Sequence, residues 1–173
     1  MSGVRRKVEP ISRLKIREVA TLLRELVGNK DGYLDIVGVL EFTLPKFIKD
    51  FEYEFRTEQE MGSNLGLTIP DKNIIFLRED VYDGALGGDG HHRMTVAHEI
   101  GHLLLHKNIP SSFARIDPKE SVPAYNCSEW QANCFGGELL VPHKGLTITD
   151  DPTSVSRKYG VTRKAAEIQL SKK

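Results

Sequence analysis

The chain has 173 residues, enough for one domain with its own core, and its hydrophobic and charged fractions, 39% and 28%, are ordinary for a globular protein. Its 24 basic and 24 acidic residues cancel, so bulk charge gives no reason to expect a nucleic-acid or membrane partner. Two cysteines are too few for a disulfide framework, and the absence of a secretory signal or a bilayer-length apolar segment leads us to expect a cytoplasmic protein.

The N-terminal part of the chain, residues 11–45, is predicted to be helical. Apolar residues recur there at spacings of three and four, and Ser12 and Gly28 are favourable residues to begin and end a first helix. A second, shorter helix is expected to end before Pro45. We interpret both helices as ordinary packing elements.

Residues 47–77 are predicted to form a small antiparallel sheet. Aromatic and charged residues alternate over residues 51–56, as in a strand with one buried face. Residues 65–69 and 74–77 are two further strands, and the turn sequence between them predicts a hairpin. An edge strand of this sheet could pair with an extended peptide, although the sequence does not identify the edge.

Four glycines make residues 83–90 a predicted loop that links the sheet to the next helix. The loop lacks the Gly-Lys-Ser/Thr ending of a phosphate-binding loop, so a linker is the preferred interpretation. His91 and His92 follow it and could be extra metal ligands. Adjacent residues of a helix point in different directions, however, which favours solvated positions or the first turn of the helix.

Residues 92–107 are predicted to form a helix that carries the pattern His-Glu-x-x-His. His98 and His102 are four positions apart, so both imidazoles face one point, as two ligands of a zinc ion do. Glu99 can act as general base for a water molecule at that point. The surrounding residues are apolar, and buried polar side chains need partners, which a metal ion would provide. Two core histidines bonded to carbonyl groups are the alternative.

A second predicted helix, residues 127–141, contains the candidate for a third ligand. Glu129 is the natural choice, with Glu120 and Glu138 as rivals. It is preferred because Asn133, four residues further on, shares its face and could accept a hydrogen bond from a ligating histidine. Alternatively, Glu129 is simply favourable in a first helical turn, where the helix dipole stabilises negative charge.

Further polar side chains could surround such a site. His106 lies four positions after His102 and is expected to cap the helix or to contact a ligand, because tetrahedral sites rarely take three ligands from one straight helix. An oxyanion donor is also needed for peptide hydrolysis. Tyr125 and His143 are candidates for it, together with the two adjacent histidines at the start of the helix.

Residues 150–173 are predicted to form a C-terminal helical appendage. Two short helices around Gly160 resemble a helix-turn-helix, and six basic residues lie within residues 157–173. The segment is too short for an independent DNA-binding domain, so a packing role is preferred and direct DNA binding is not expected. We therefore expect residues 1–173 to form a single α+β domain.

Two blocks of the sequence resemble the ImmA/IrrE family of HEXXH metallopeptidases. Residues 93–106 contain the His-Glu-x-x-His pattern, and residues 129–142 are similar to the family's Glu-x-x-Ala-Asn-x-Phe-Ala-x-x-Leu-Leu-x-Pro block. Residues 159–166 look like the closing segment of the family. Gly136 and Gly137 stand where the family usually has two alanines, a difference that removes no ligand.

The resemblance implies a minimal gluzincin-like zinc-peptidase domain in which His98, His102 and Glu129 hold zinc, or else manganese, and Glu99 is the catalytic base. It also implies a cytoplasmic protein of bacteria or their mobile genetic elements. Such a protein would cleave a helix-turn-helix transcriptional repressor, or an antitoxin-like partner, and relieve repression. The main alternative is a regulator, metal-binding or metal-free, that sequesters a repressor without cleaving it. A DNA-binding protein with a structural zinc is disfavoured by the neutral charge.

Overall fold

The computed structural model describes residues 6–108 and 122–172 and has an α+β fold, as predicted. The helices are α1 (Arg13–Val27), α2 (Ile36–Gly38), α3 (Leu44–Phe47), α4 (Glu58–Met61), α5 (Glu79–Leu86), α6 (Gly90–Leu105), α7 (Ser128–Leu140), α8 (Pro152–Tyr159) and α9 (Arg163–Leu170). The strands are β1 (Glu52–Arg56), β2 (Gly66–Ile69) and β3 (Ile74–Arg78). A π-helical turn, Val39–Thr43, joins α2 to α3.

The sheet has the strand order β1-β3-β2 and is mixed. β2 and β3 are antiparallel, with Thr68 opposite Ile75, as the hairpin prediction required. β1 runs parallel to β3, with Tyr53 opposite Ile75, so the prediction of an antiparallel sheet over residues 47–77 was wrong for this strand. Alternating burial identifies a strand but not its direction. Here α4 carries the chain across the sheet, and β3 then inserts between the first two strands.

One face of the sheet packs against the helices. Ile75 and Leu77 of β3 are fully buried in the main core, together with apolar side chains of α1, α6 and α7. α6 and α7 approach each other closely at Gly101, where a Cβ atom would lie 3.0 Å from the ring of Phe135 and 3.1 Å from the carbonyl oxygen of Ala132. The glycine inside the His-Glu-x-x-His pattern therefore allows the two helices to pack.

The predicted loop at residues 83–90 is mostly helical. α5 continues to Leu86 and α6 begins at Gly90, so a short connection joins them. The prediction was wrong because Val81 and Ala85 are buried against the core, which offsets the cost of glycine in α5. The carboxylate of Asp89 caps α6 by accepting hydrogen bonds from the first backbone N–H groups of that helix.

Two buried arginines satisfy carbonyl groups at helix ends. Arg24 of α1 donates to the carbonyl oxygen of Leu139 at 2.6 Å, in the last turn of α7. Arg93 of α6 donates to the carbonyl oxygen of Gly160 at 2.8 Å, just after α8. These bonds link α1 to α7 and α6 to the C-terminal helix pair. Over residues 6–108 and 122–172, every helix is too short or too polar to cross a membrane.

Candidate metal centre

Side chains of α6 and α7 converge at one point between the two helices. His98 and His102 of α6 and Glu129 of α7 each offer a ligand atom, and these atoms all lie within 4.8 Å of one another. The two Nε2 atoms of the histidines are 3.0 Å apart. The carboxylate oxygens of Glu129 lie 3.3 Å from Nε2 of His98 and 3.2 Å from Nε2 of His102.

The ring of His98 is oriented by Asn133. Nδ1 of His98 lies 3.1 Å from the side-chain oxygen of Asn133, which is four residues after Glu129 on α7. An amide oxygen only accepts hydrogen bonds, so Nδ1 of His98 carries the proton and donates it. In the neutral ring, the lone pair of Nε2 is therefore directed into the space shared with Glu129.

The ring of His102 is oriented by a longer chain of hydrogen bonds. Its Nδ1 lies 2.9 Å from Nδ1 of His106, and Nε2 of His106 lies 2.9 Å from the side-chain oxygen of Gln131. Since that oxygen is an acceptor, His106 donates from Nε2 and accepts at Nδ1. His102 must therefore donate from Nδ1, which leaves the lone pair of its Nε2 free.

His106 is buried, and its ionisation agrees with this arrangement. Removal from water, reinforced by the neighbouring His102, lowers the pKa of His106 to about 4. A neutral imidazole is the only form that can donate from one nitrogen and accept at the other. His106 can therefore act as both donor and acceptor at neutral pH.

The converging atoms fit a bound cation. In their neutral forms the two imidazoles direct lone pairs at each other and at two carboxylate oxygens, with no proton in the space between them. Burial raises the pKa of the Glu129 carboxyl, whereas positive charge at His102 and His98 lowers it well below its usual range, and a cation bound between the three side chains would act in the same direction. The carboxylate is therefore charged at neutral pH. Two imidazole nitrogens and a carboxylate are a usual protein ligand set for catalytic zinc.

Glu99 lies beside this group and is held by the edge strand β2. The hydroxyl of Thr68 donates to Oε2 of Glu99 at 2.6 Å. Gly66, on the same face of β2, leaves room for the carboxylate, because a Cβ atom there would lie 2.8 Å from Oε1 of Glu99. β2 is an edge strand of the sheet, which the sequence alone did not identify. It also positions Glu99.

A cavity of about 360 Å³ opens onto these side chains. Glu99 and His102 line it from α6, together with His106 directly after the end of that helix. β2 lines a second side, and the third side is formed by Ser128 and Glu129 of α7 with the N-terminal residues Arg6 and Val8. The site is therefore accessible from outside and is bordered by a strand edge.

Other candidate residues from the sequence lie elsewhere. Tyr125 is in a short 3₁₀ helix, Ala124–Asn126, and does not line the cavity. His143 lies beyond the end of α7, and that end is about 16 Å along the helix axis from Glu129. His91 and His92 are in the first turn of α6.

Glu138, one of the two rival glutamates, is also separated from the site. Glu138 is near the other end of α7, where its carboxylate accepts hydrogen bonds from Arg13 and Arg17 of α1. Glu120 lies outside the residues that the structure describes. Of the two candidate glutamates that the structure describes, Glu129 is the one that lies beside His98.

Sequence reasoning missed three residues of the site. Thr68 and Gly66 could have been noted, because alternation along a strand places them on one face of β2. Gln131 is fully buried in an apolar helix, and a buried amide needs partners. Its partners, however, come from distant parts of the chain, which no spacing rule identifies.

Comparison with known protein families gives one match. A family model described as the IrrE N-terminal-like domain, Peptidase_M78, matches residues 53–171. The matched range contains all of the sheet except Glu52, together with α6 and α7, and it leaves out the N-terminal residues that line the cavity. Neither the curated proteins nor the solved structures with which the chain was compared give a match.

Proposed function

Because the chain belongs to the Peptidase_M78 family of IrrE N-terminal-like domains, we propose that it is a zinc-dependent endopeptidase with its active site in the cavity beside α6, α7 and β2. The match confirms the resemblance to the ImmA/IrrE family and supports a peptidase activity. One observation carries the proposal: the ligand atoms of His98, His102 and Glu129 converge within 4.8 Å of one another, with Glu99 beside them.

His98, His102 and Glu129 would hold the metal ion, and Asn133 and His106 would orient the two imidazoles. Bound there, zinc supplies a Lewis acid that polarises a peptide carbonyl and lowers the pKa of water. Three protein ligands leave one coordination position open, which is typical of catalytic rather than structural zinc. Manganese is the alternative metal.

Glu99 is the proposed general base. Thr68 occupies its Oε2, so Oε1 is the oxygen available to a water molecule in the cavity. Glu99 takes a proton from that water as the water oxygen bonds to the carbonyl carbon of the substrate peptide. It then delivers the proton to the amide nitrogen as the carbon–nitrogen bond breaks. The carboxylate ends the cycle as it began.

We propose that the substrate is an extended segment of a helix-turn-helix transcriptional repressor or an antitoxin-like partner. The strand order leaves one side of β2 without a neighbouring strand among the described residues, and that strand borders the cavity. The free backbone groups of an edge strand can pair with an extended peptide. A peptide bound in this way would lie within reach of Glu99, which β2 also holds.

The test is incubation of the protein with the repressor encoded beside its gene, with zinc, manganese or a chelator. Mass spectrometry should find one cleavage site with the unmodified protein. Glu99→Gln should bind the same amount of zinc and cleave nothing, and Glu25→Gln on the exposed side of α1 should behave as the unmodified protein does. Undiminished cleavage by Glu99→Gln would disprove the proposal. Relief of repression without any cleavage would favour sequestration of the repressor.

A further inference from the structure

The N-terminal segment, defined as residues 6–9, is docked against the metal centre although it lies outside the range that matches the family model. The backbone N–H of Arg6 donates to the hydroxyl of Ser128 at 3.1 Å, and the N–H of Ser128 donates to the carbonyl of Arg6 at 3.0 Å. Val8 is buried, and its N–H donates to the carbonyl of Asn126 at 2.9 Å. The segment therefore lies as an extended strand beside the residues that lead into α7.

Gln131 connects this segment to the candidate metal ligands. Its amide nitrogen donates to the carbonyl oxygens of Glu9 and Tyr125, both at 2.8 Å. Its oxygen accepts from Nε2 of His106 at 2.9 Å. A reversed amide would direct its oxygen at two carbonyl oxygens, so the two carbonyl groups determine which way the amide faces.

The orientation of the Gln131 amide determines which atom donates in each of the hydrogen bonds that lead through His106 to His102. With the oxygen of Gln131 facing it, His106 must be protonated on Nε2 and must accept at Nδ1. His102 must then donate from Nδ1, at 2.9 Å, and direct its unprotonated Nε2 at Glu129. The chain of bonds begins at a backbone carbonyl of the N-terminal segment and ends at a candidate metal ligand.

We propose that Gln131 is a positioning residue of the metal centre, which acts through His106 on His102 and makes the N-terminal segment a working part of that centre. The inference rests on the proposed metal site and extends it to residues that touch no metal. A ligating imidazole whose second nitrogen is hydrogen-bonded is fixed in one tautomer and orientation. When this hydrogen bond is lost, the imidazole binds the metal ion more weakly.

The chain also offers a matched control for the loss of a buried glutamine. Gln169 of α9 is buried, like Gln131, and its oxygen accepts from Arg13 at 3.3 Å. It contacts none of the candidate metal ligands. Substitution of either glutamine by methionine keeps the approximate side-chain volume and removes the hydrogen bonds. A difference between the two variants therefore reports on position rather than on the general cost of the substitution.

The first experiment measures zinc affinity by competition with a chromogenic chelator. Gln131→Met should bind zinc about 10–100-fold more weakly than the unmodified protein, because His106 is then no longer fixed as the acceptor of the hydrogen bond from the ligand His102. Gln169→Met should stay within about twofold of the unmodified protein, since it leaves those bonds intact. A folded Gln131→Met that binds zinc as tightly as the unmodified protein overturns the inference alone. An unmodified protein that fails to bind zinc overturns the proposed function as well.

The second experiment needs no variant and keeps the inference testable if Gln131→Met does not fold. Nitrogen-15 NMR spectra of the imidazole rings distinguish the two neutral tautomers. In the zinc-loaded protein, His98 and His102 should be protonated on Nδ1 and His106 on Nε2. A His106 ring protonated on Nδ1 would reverse the chain of bonds and overturn the inference.

A third experiment tests the contribution of the N-terminal segment itself. Val8→Asp places a charge at a buried position and should release the segment, which hydrogen exchange at the backbone amides of position 8 and Ser128 would report. Zinc affinity should then fall by about threefold to tenfold, roughly one net hydrogen bond, because Tyr125 still holds Gln131. Release of the segment with unchanged zinc affinity would exclude its part in the metal centre.

Discussion

α7 carries two glutamates, near its two ends, whose surroundings differ in the direction of the neighbouring protons. The side chain of Glu138 is 2% exposed and accepts hydrogen bonds from Arg13 at 2.7 Å and Arg17 at 2.8 Å. Arginine is always protonated and only donates, so the carboxylate oxygens face protons. The protein alone satisfies this group.

At the other end of the helix, Glu129 faces nitrogen atoms whose protons point elsewhere. Its side chain is 16% exposed and lies 3.3 Å from His98 and 3.2 Å from His102. Asn133 and His106 accept the protons of those two rings on the far side. With both rings neutral, the atoms that the carboxylate and the two imidazoles direct at one another are thus all hydrogen-bond acceptors, and none of them is a donor. A buried carboxylate alone does not identify a site, whereas the direction of the neighbouring protons does.

The largest expected effect is the loss of metal binding on Glu129→Gln. Zinc affinity should fall by more than the roughly 10–100-fold that follows the loss of a hydrogen bond to a ligand, because a ligand itself is removed. The metal-free variant should be as stable as the unmodified protein or more stable, because the replacement brings N–H donors to two imidazole lone pairs. Chelator competition and urea unfolding measure the two quantities. A clear loss of stability in the metal-free variant would erase the contrast with Glu138.

The next largest effect should be the loss of stability on Glu138→Gln. Removal of one partner from a buried ion pair costs about 3–5 kcal/mol, and the 22–23% exposure of the two arginine side chains reduces our expectation to about 3 kcal/mol. Zinc affinity should not change. Glu18→Gln, which breaks an exposed pair with Lys15, is the control and should cost less than about 1 kcal/mol. A change in zinc affinity would show that the end of α7 with Glu138 (the ionic end) also supports the end with Glu129 (the metal end).

The pH dependence of stability should also distinguish the surroundings of Glu129, which include His106, from those of Glu138. The pKa of His106 is about 4 in the native protein and has its ordinary value, 6.5, in the unfolded chain. As the pH falls from 6.5 to 4, the unfolded chain therefore binds a proton that the native protein does not, and stability falls. At about pH 5 this costs about 2 kcal/mol relative to neutral pH. Urea unfolding of the metal-free protein measures it.

His106→Phe is the variant that isolates this pH effect. Between about pH 7.5 and about pH 5 the free energy of unfolding should fall less in His106→Phe than in the unmodified protein. The two decreases should differ by about 2 kcal/mol. Glu138→Gln should leave the contribution of His106 to this pH dependence unchanged, because Glu138 is not among the groups that surround His106. An equal pH dependence in the unmodified protein and His106→Phe would mean that His106 takes up its proton as readily in the native protein as in the unfolded chain.

The parts of the site that could be predicted from the sequence depend on neighbours along one helix. His98 and His102 face one point because they are four residues apart, and the same spacing on α7 associates Asn133 with Glu129. The choice between Glu129 and Glu138 was harder, since both lie on α7. In the structure, Glu129 faces α6, whereas Glu138 faces α1.

The parts that could not be predicted depend on contacts between distant residues. Gln131 meets the carbonyl of Glu9 across 122 positions of sequence, and Thr68 meets Glu99 across 31. Periodicity describes which face of an element is buried, but it does not specify which element covers that face. The parallel direction of β1 and the helical conformation of α5 were missed for the same reason.

The smallest expected effect concerns Gly137, which lies on α7 between the two ends. A Cβ atom there would overlap the side-chain nitrogen of Gln169, so Gly137→Ala should displace that flexible amide and weaken its hydrogen bond from Arg13. The better helix propensity of alanine contributes about 1 kcal/mol in the opposite direction. Unfolding in urea should therefore give a net change below about 1 kcal/mol.

Zinc affinity is the quantity that makes Gly137→Ala informative, because the substitution disturbs the ionic end of α7 and leaves the metal end untouched. Gly136→Ala is the matched control: a Cβ atom there would lie 3.1 Å from the flexible end of Met94 and 3.4 Å from the backbone nitrogen of His98. Both variants should bind zinc as the unmodified protein does. If Gly137→Ala alone weakened zinc binding, strain would pass along α7 from Glu138 to Glu129, and the two glutamates would belong to one coupled unit.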